Sequence, residues 1–199
     1  MEWIVNIIIC LLFSMKKIAI FMAACAALFS CSPKSEVMLI DSSAFTAEVD
    51  GKQVSLYTIQ EGDLTMQVTN FGARVVTLWT PDKAGNQEDV VLGYNNLDNY
   101  VNNPGERFLG AVVGPYANRI ANGTYTIGEQ TYNFPQNNNG QTLHGGLKGL
   151  DMVVWDVDSV TENAIVLSVV CPDGHDGMPG NRKIVMTYTL TPDNEFEVD

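Results

Sequence analysis

Residues 164–190 read "AIVLSVVCPDGHDGMPGNRKIVMTYTL", and this stretch decides the fold class. Two runs dense in β-branched residues, 164–171 and 183–190, bracket a loop at 172–181 built from glycine, proline, aspartate and asparagine. Valine, isoleucine and threonine are stiff at χ1 and pack well on a pleated surface, so the stretch predicts two strands and their connection.

The same punctuation recurs on either side. "GTYTIGEQTYNF" at 123–134 predicts strands at Tyr125–Ile127 and Thr131–Phe134 around a tight turn at 128–130. "LTMQVTN" at 64–70 places Leu64, Met66 and Val68 on one face, and "ARVVTLWTP" at 73–81 follows within a few residues. After a turn at Pro192, Asp193 and Asn194, a new alternation begins with Phe196 and Val198, which reads as an unfinished strand and predicts a chain that continues, the alternative being a short edge strand at a natural end. No segment after the first thirty residues shows sustained helical periodicity. The expectation is an all-β antiparallel sandwich, favoured over a small closed barrel because the strands are many and unequal.

The totals agree with one folded body. A chain of 199 residues, 46% hydrophobic and 17% charged, can bury one well-formed core. Its 23 acidic and 11 basic side chains give a formal charge of −12, which repels nucleic acid unless a local basic patch overcomes the field. Lys16-Lys17 and Arg182-Lys183 are the only adjacent basic pairs, so no nucleic-acid partner is expected.

Reading from Met15, "MKKIAIFMAACAALFSC" shows a basic start, an apolar run from Ile18 to Phe29 and a small residue before Cys31, the layout of a secretory signal. Two lysines interrupt the apolar residues of 3–29, whereas a membrane span needs about 20 in succession. Residues 1–14 fit no signal, so Met15 is the expected start. The "LFSC" ending resembles a bacterial lipoprotein signal, which implies lipid on Cys31 and an exported, membrane-anchored protein on the periplasmic or cell-surface side. The resulting division is a signal segment at 1–30, a polar tether at 31–42 and the domain at 43–199. With Cys10 and Cys25 in the signal, Cys31 and Cys171 leave no internal disulfide, and one thiol with two distant histidines lacks the spacing of a zinc site. No metal is expected.

One of the two histidines sits in "GQTLHGG" at 140–146. Gly145 and Gly146 carry no side chain to block a ligand approaching the backbone, and a neutral imidazole both donates and accepts, which suits a sugar oxygen. A buried histidine satisfying a turn explains the same residues.

Five stretches together resemble the aldose 1-epimerase (galactose mutarotase) family: "NFGARVVTLWTPD" at 70–82, "DVVLGYNNLDNY" at 89–100, "LGAVVGPYANRIANGTY" at 109–125, "NNNGQTLHGGLKGLDMVVWDV" at 137–157 and "PDGHDGMPGN" at 172–181. The resemblance implies an antiparallel β-sandwich of the galactose mutarotase type, here about its N-terminal half. It implies interconversion of the α and β anomers of free aldoses such as glucose or galactose, without metal or organic cofactor. Asn118 and Arg119 of "ANRI" and His144 of "LHGG" match the sugar-contacting positions, which requires the guanidinium and the imidazole to converge on one hollow. The family's general acid, a histidine in an "NHxYFN"-type stretch, and its general base glutamate match nothing in these residues. Both are expected beyond Asp199, and no catalytic residue is assigned within the chain. His175 stands where the family has an acidic residue and reads as a solvated loop histidine. Trp155, Tyr116 and Tyr94 could stack on a sugar face but read first as core. The alternative function is a carbohydrate-binding lipoprotein without catalysis.

Overall fold

The β-branched runs at 164–171 and 183–190 are the long strands of a four-stranded sheet, and their alternation explains why. In the computed structural model, which describes residues 35–102 and 105–199, the chain divides into Met1–Ser35 and Glu36–Asp199. Among the described residues, every strand and helix lies in the second unit. The expected signal segment and Cys31 lie outside the described residues.

In chain order the strands are β1 (Ala47–Val49), β2 (Lys52–Val54), β3 (Leu56–Glu61), β4 (Leu64–Thr69), β5 (Arg74–Pro81), β6 (Gln87–Asp89), β7 (Arg119–Ile120), β8 (Thr124–Ile127), β9 (Gln130–Asn133), β10 (Thr142–Leu143), β11 (Asp156–Val160), β12 (Ala164–Cys171), β13 (Arg182–Leu190) and β14 (Phe196–Val198). Two four-stranded antiparallel sheets, β3-β4-β5-β6 and β11-β12-β13-β14, form the body, and β1-β2, β7-β10 and β8-β9 are two-stranded ribbons. The expected hairpin at 123–134 forms as β8 and β9, paired from Thr124↔Asn133 to Ile127↔Gln130. Phe196 and Val198 lie in β14, paired with β13.

Strand periodicity sends alternate side chains to opposite faces. From β12 the inward set is Ile165, Leu167, Val169 and Cys171; from β3, β4 and β5 it includes Ile59, Met66, Val68 and Val75. These meet in one cluster with Trp155, Tyr188 and Leu190, the interior of an antiparallel sandwich. Polar cross-links span it. Asn70 accepts from Ser55 N–H (2.9 Å) and donates to Gln53 O (3.0 Å) and Trp155 O (3.1 Å). Tyr188 donates to Ala73 O at 2.8 Å, and burial pushes its phenol above the ordinary range.

Three features differ from the sequence reading. Leu64, Met66 and Val68 do share the inner face, but every residue of β4 is buried, because a second cluster containing Phe45, Leu56, Phe71, Val76, Leu97 and Tyr100 covers the reverse of that sheet. A short helix, α1 (Leu97–Val101), forms where none was expected; Asn96 caps it by accepting from Asn99 N–H at 3.0 Å, and Leu97 and Tyr100 are its buried side chains. Five residues make too little of a helical period to register in a sequence. The chain is also docked ahead of the expected boundary at 43: the side-chain amide of Gln67 accepts from Ile40 N–H (2.9 Å) and donates to Ile40 O (3.0 Å). No helix among the described residues is long and apolar enough to cross a membrane.

Leu167 is fully buried and Val170, three residues along the same strand, is 64% exposed. Leu167→Ala should cost about 2–5 kcal/mol through lost transfer energy and the cavity left behind, whereas Val170→Ala should stay within about 0.5 kcal/mol. Urea denaturation followed by tryptophan fluorescence measures both.

Candidate functional site

The short ribbon of β7 and β10 brings together the residues singled out in the sequence. Leu143 pairs with Arg119 and Thr142 with Ile120. Beyond the paired residues, His144 N–H donates to Asn118 O at 3.0 Å, and Asn118 N–H donates to His144 Nδ1 at 3.0 Å. Residues 26 apart in sequence are thus joined by two hydrogen bonds. Both adopt the left-handed backbone region, Asn118 at φ 62° and His144 at φ 52°. For histidine that region costs on the order of 1–3 kcal/mol and is held only where surroundings over-determine it.

The Asn118 contact fixes the chemistry of the ring. A backbone N–H only donates, so Nδ1 accepts, and the neutral imidazole carries its proton on Nε2. Burial holds the His144 pKa below the ordinary 6.5, with the nearby guanidinium groups of Arg119 and Arg107 acting in the same direction and Asp151 opposing them. Arg119 is exposed and oriented: Nε donates to Asn138 Oδ1 (3.0 Å) and Nη1 to Asn118 Oδ1 (3.1 Å).

Asn118, Arg119 and His144 therefore lie together. A cavity of about 440 Å³ is lined by Tyr116, Arg119, Ile120, Thr124, Tyr125 and Met178 among others, and His144 is not on its wall. Of the aromatic residues considered, Tyr116 is 53% exposed beside Arg119. Trp155 is core, and Tyr94 packs edge-on against Tyr100, centroids 5.0 Å apart.

Packing requires glycine at 145, and a positive φ of 94° favours it at 146. Gly145 has φ 89°, and a Cβ there would overlap the carbonyl oxygen of Gly114. A Cβ on Gly146 would lie 3.5 Å from the carboxylate of Asp176. That aspartate accepts from Lys148 N–H at 2.6 Å, and His175 Nε2 lies 2.8 Å from Lys148 O. A carbonyl only accepts, so Nε2 of His175 carries hydrogen there. His175 is consequently a clasp on the 144–149 turn, not the freely solvated side chain that was expected.

Further residues that hold this turn, or Arg119 beside it, escaped the sequence reading. Asn137 accepts from Leu143 N–H (2.7 Å) and donates to Leu143 O (3.0 Å) and Gly146 O (2.9 Å), and Asn138 orients Arg119. Asp151, fully buried, takes a two-pronged pair from Arg107, Nε to Oδ2 at 2.7 Å and Nη2 to Oδ1 at 2.9 Å. Arg107 also donates to Gly146 O (3.0 Å) and Leu147 O (3.3 Å). The run of asparagines at 137–139 was the available signal, since such residues bond to nearby backbone. Among the described residues no group of three or more His, Cys, Asp or Glu side chains gathers as a metal would need.

Comparison with known proteins gives one consistent result. A family model described as Aldose 1-epimerase matches residues 55–199. The chain is 39% identical over 137 residues to galactose mutarotase from Bos taurus, which covers 69% of this chain and 39% of that protein. It is 34% identical over 162 residues to aldose 1-epimerase from Haemophilus influenzae, covering 81% and 46% respectively. Thus it spans less than half the length of either relative. Among solved structures, an aldose epimerase homologue from C. elegans matches with TM-score 0.69 at 33% identity, over 73% of this chain and 44% of that one. A galactose 1-epimerase from Lactobacillus acidophilus matches with TM-score 0.64 at 28% identity, over 76% and 45%.

The His144 geometry fixes a sign. Protonating Nδ1 would set two donors face to face, so the unfolded chain takes the proton more readily than the folded one. Stability from the neutral ring is present above about 6.5 and falls as pH drops below that value through the lower folded pKa. NMR titration of His144, paired with urea midpoints across the same range, should show both transitions, and His144→Gln should flatten the second.

Proposed function

The chain belongs to the aldose 1-epimerase family, and we propose that Asn118, Arg119 and His144 hold the oxygens of a free aldose, such as glucose or galactose, whose α and β anomers the family's chemistry interconverts. The observation that carries this reading is the double hydrogen bond between residues 118 and 144, which leaves Nε2–H as the free donor of the imidazole, while Arg119 donates to the side chain of the same Asn118. Opening a hemiacetal moves two protons: one leaves the anomeric hydroxyl for a base, and one reaches the ring oxygen from an acid. The C1–C2 bond then turns and the ring closes on its other face. Fixed donors favour the oxygen that gains electron density as the ring bond breaks, and a planar guanidinium does this with less reorganisation than an ammonium.

In this reading the polypeptide of 199 residues supplies the binding groups, and the acid–base pair is not among its residues. Each member of such a pair is typically worth about 10²–10⁴ in rate, so binding without acceleration is the expected behaviour. The signal-like run ending at Cys31 supports an exported, lipid-anchored protein as part of the same proposal.

Titration of α-D-glucose and α-D-galactose, read by the His144 resonances, should give saturable shifts. Arg119→Ala and His144→Ala should each weaken binding about tenfold, the loss of one charge-assisted or oriented hydrogen bond. Polarimetry on the same polypeptide should show mutarotation at the uncatalysed rate. Catalysed mutarotation would overturn the placement of acid and base outside these residues, and absence of sugar binding would overturn the site.

A further inference from the structure

Arg107 binds the 144–151 turn at three separate residues. Its Nε and Nη2 grip Asp151, and its remaining donors reach the carbonyls of Gly146 and Leu147, so the guanidinium commits four of its five N–H groups. The same guanidinium lies over the ring of Phe108, 4.7 Å from its centroid. On that ring sits the imidazole of His144, centroids 4.7 Å apart and planes at 61°. Arginine, phenylalanine and histidine form one continuous stack, and the far end of the stack accepts the Asn118 N–H.

The stack couples two settings of His144 that local sequence does not determine. A left-handed backbone at residue 144 is maintained by fixing the carbonyls just after it, which Arg107 does. Rotation of the imidazole about its χ2, a broad torsion when unopposed, is limited by the edge contact with Phe108. With the ring held, Nδ1 faces the Asn118 N–H and Nε2–H faces away from it. The charged groups around the imidazole are Arg119, Arg107 and Asp151.

We propose that Arg107 is a positioning residue which, through Phe108 and the carbonyls of Gly146 and Leu147, holds His144 as the Nε2–H tautomer, so that this site presents its ligand with a donor and selects an oxygen with a free lone pair. The identity of the ligand as an aldose rests on the proposed function; the coupling of Arg107 to His144 does not. Lysine at 107 would keep the charge but lose the fork, because an ammonium cannot span a carboxylate and two carbonyls.

The test uses the full chain labelled with ¹⁵N at histidine, where only two residues contribute signals. Long-range ¹⁵N–¹H spectra distinguish the tautomers directly, a readout that a merely structural role for Arg107 would leave unmoved. Wild type should show one tautomer for His144, with Nδ1 unprotonated. Arg107→Lys and Arg107→Met should show exchange between both. Arg107→Met should also raise the His144 titration midpoint towards the ordinary value, since a repelling charge is removed. Glucose affinity should fall about tenfold in each, as expected when one oriented hydrogen bond is lost. Phe108→Leu leaves Asp151 paired and serves if the Arg107 variants do not fold; it should free the tautomer in the same way. A wild-type His144 that already samples both tautomers, or folded Arg107→Lys and Phe108→Leu chains with the ring still locked, would overturn the proposal. A locked wild-type ring that ignores glucose would overturn the aldose reading and its donor role, while the variants still decide the coupling.

Discussion

The carboxylate of Asp151 is the fixed point around which the site is organised. It is completely buried, and two guanidinium groups converge on it: Arg107 with two short bonds and Arg74, itself 0% exposed, at 3.9 Å. Arg74 also donates to Asp151 O (2.8 Å) and Leu109 O (2.9 Å), and it lies over the rings of Tyr100 and Phe71 at 4.9 and 5.6 Å. Burial lowers its pKa to about 10, with Asp151 resisting the shift, so it stays charged at neutral pH. Taking these charges out of water costs several kcal/mol per ion; hydrogen bonds and the two aromatic rings offset that cost, while Arg74 Nε stays buried without a hydrogen-bond partner. The result is a rigid junction between β5, the segment at 107–109 and the turn that follows His144.

From this junction the site is assembled by polar side chains acting on backbone. Arg107 and Asn137 both reach Gly146 O, Asp176 and His175 close on Lys148, and Asn118 closes on His144. Apolar burial enters the turn at Leu150, which anchors it in the core, and at the contact of His144 with Phe108. The turn's shape comes from directional bonds, whose geometry is more exacting than that of a hydrophobic contact. Such a construction suits a place where one imidazole and one guanidinium must be held to a fraction of an ångström for orientation to matter.

The fold was legible in the sequence because its signals are local. β12 and β13 announce themselves by composition, and the β8–β9 hairpin by a glycine between two alternating runs. The reverse face of β4 was not legible, since nothing in "LTMQVTN" tells that threonine and glutamine will be covered by Phe71, Leu97 and Tyr100. At the site, Asn118, Arg119 and His144 were reached through a resemblance of ordered motifs, and the structure sets them side by side. The packing at Gly145 was not legible, because a sequence shows that a side chain is missing, not what fills its space. At Gly145 the occupant is the Gly114 carbonyl. Asp151, Arg107 and Arg74 were missed because their partners stand 44 and 77 positions away, and a lone charged residue in an apolar stretch gives no hint of a distant counterpart.

Gln67 shows how the face of a central strand, already paired on both sides, can hold a passing segment of chain. Its carboxamide meets the peptide groups of Ile40 with one acceptor and one donor, the same pair of complementary groups that a neighbouring backbone would present. The amide reads only main-chain atoms, while the Ile40 side chain packs separately against the second cluster. The path of the polypeptide leading into the domain is therefore set twice over at one residue, by the main chain of Ile40 on the Gln67 amide and by its side chain against the second cluster.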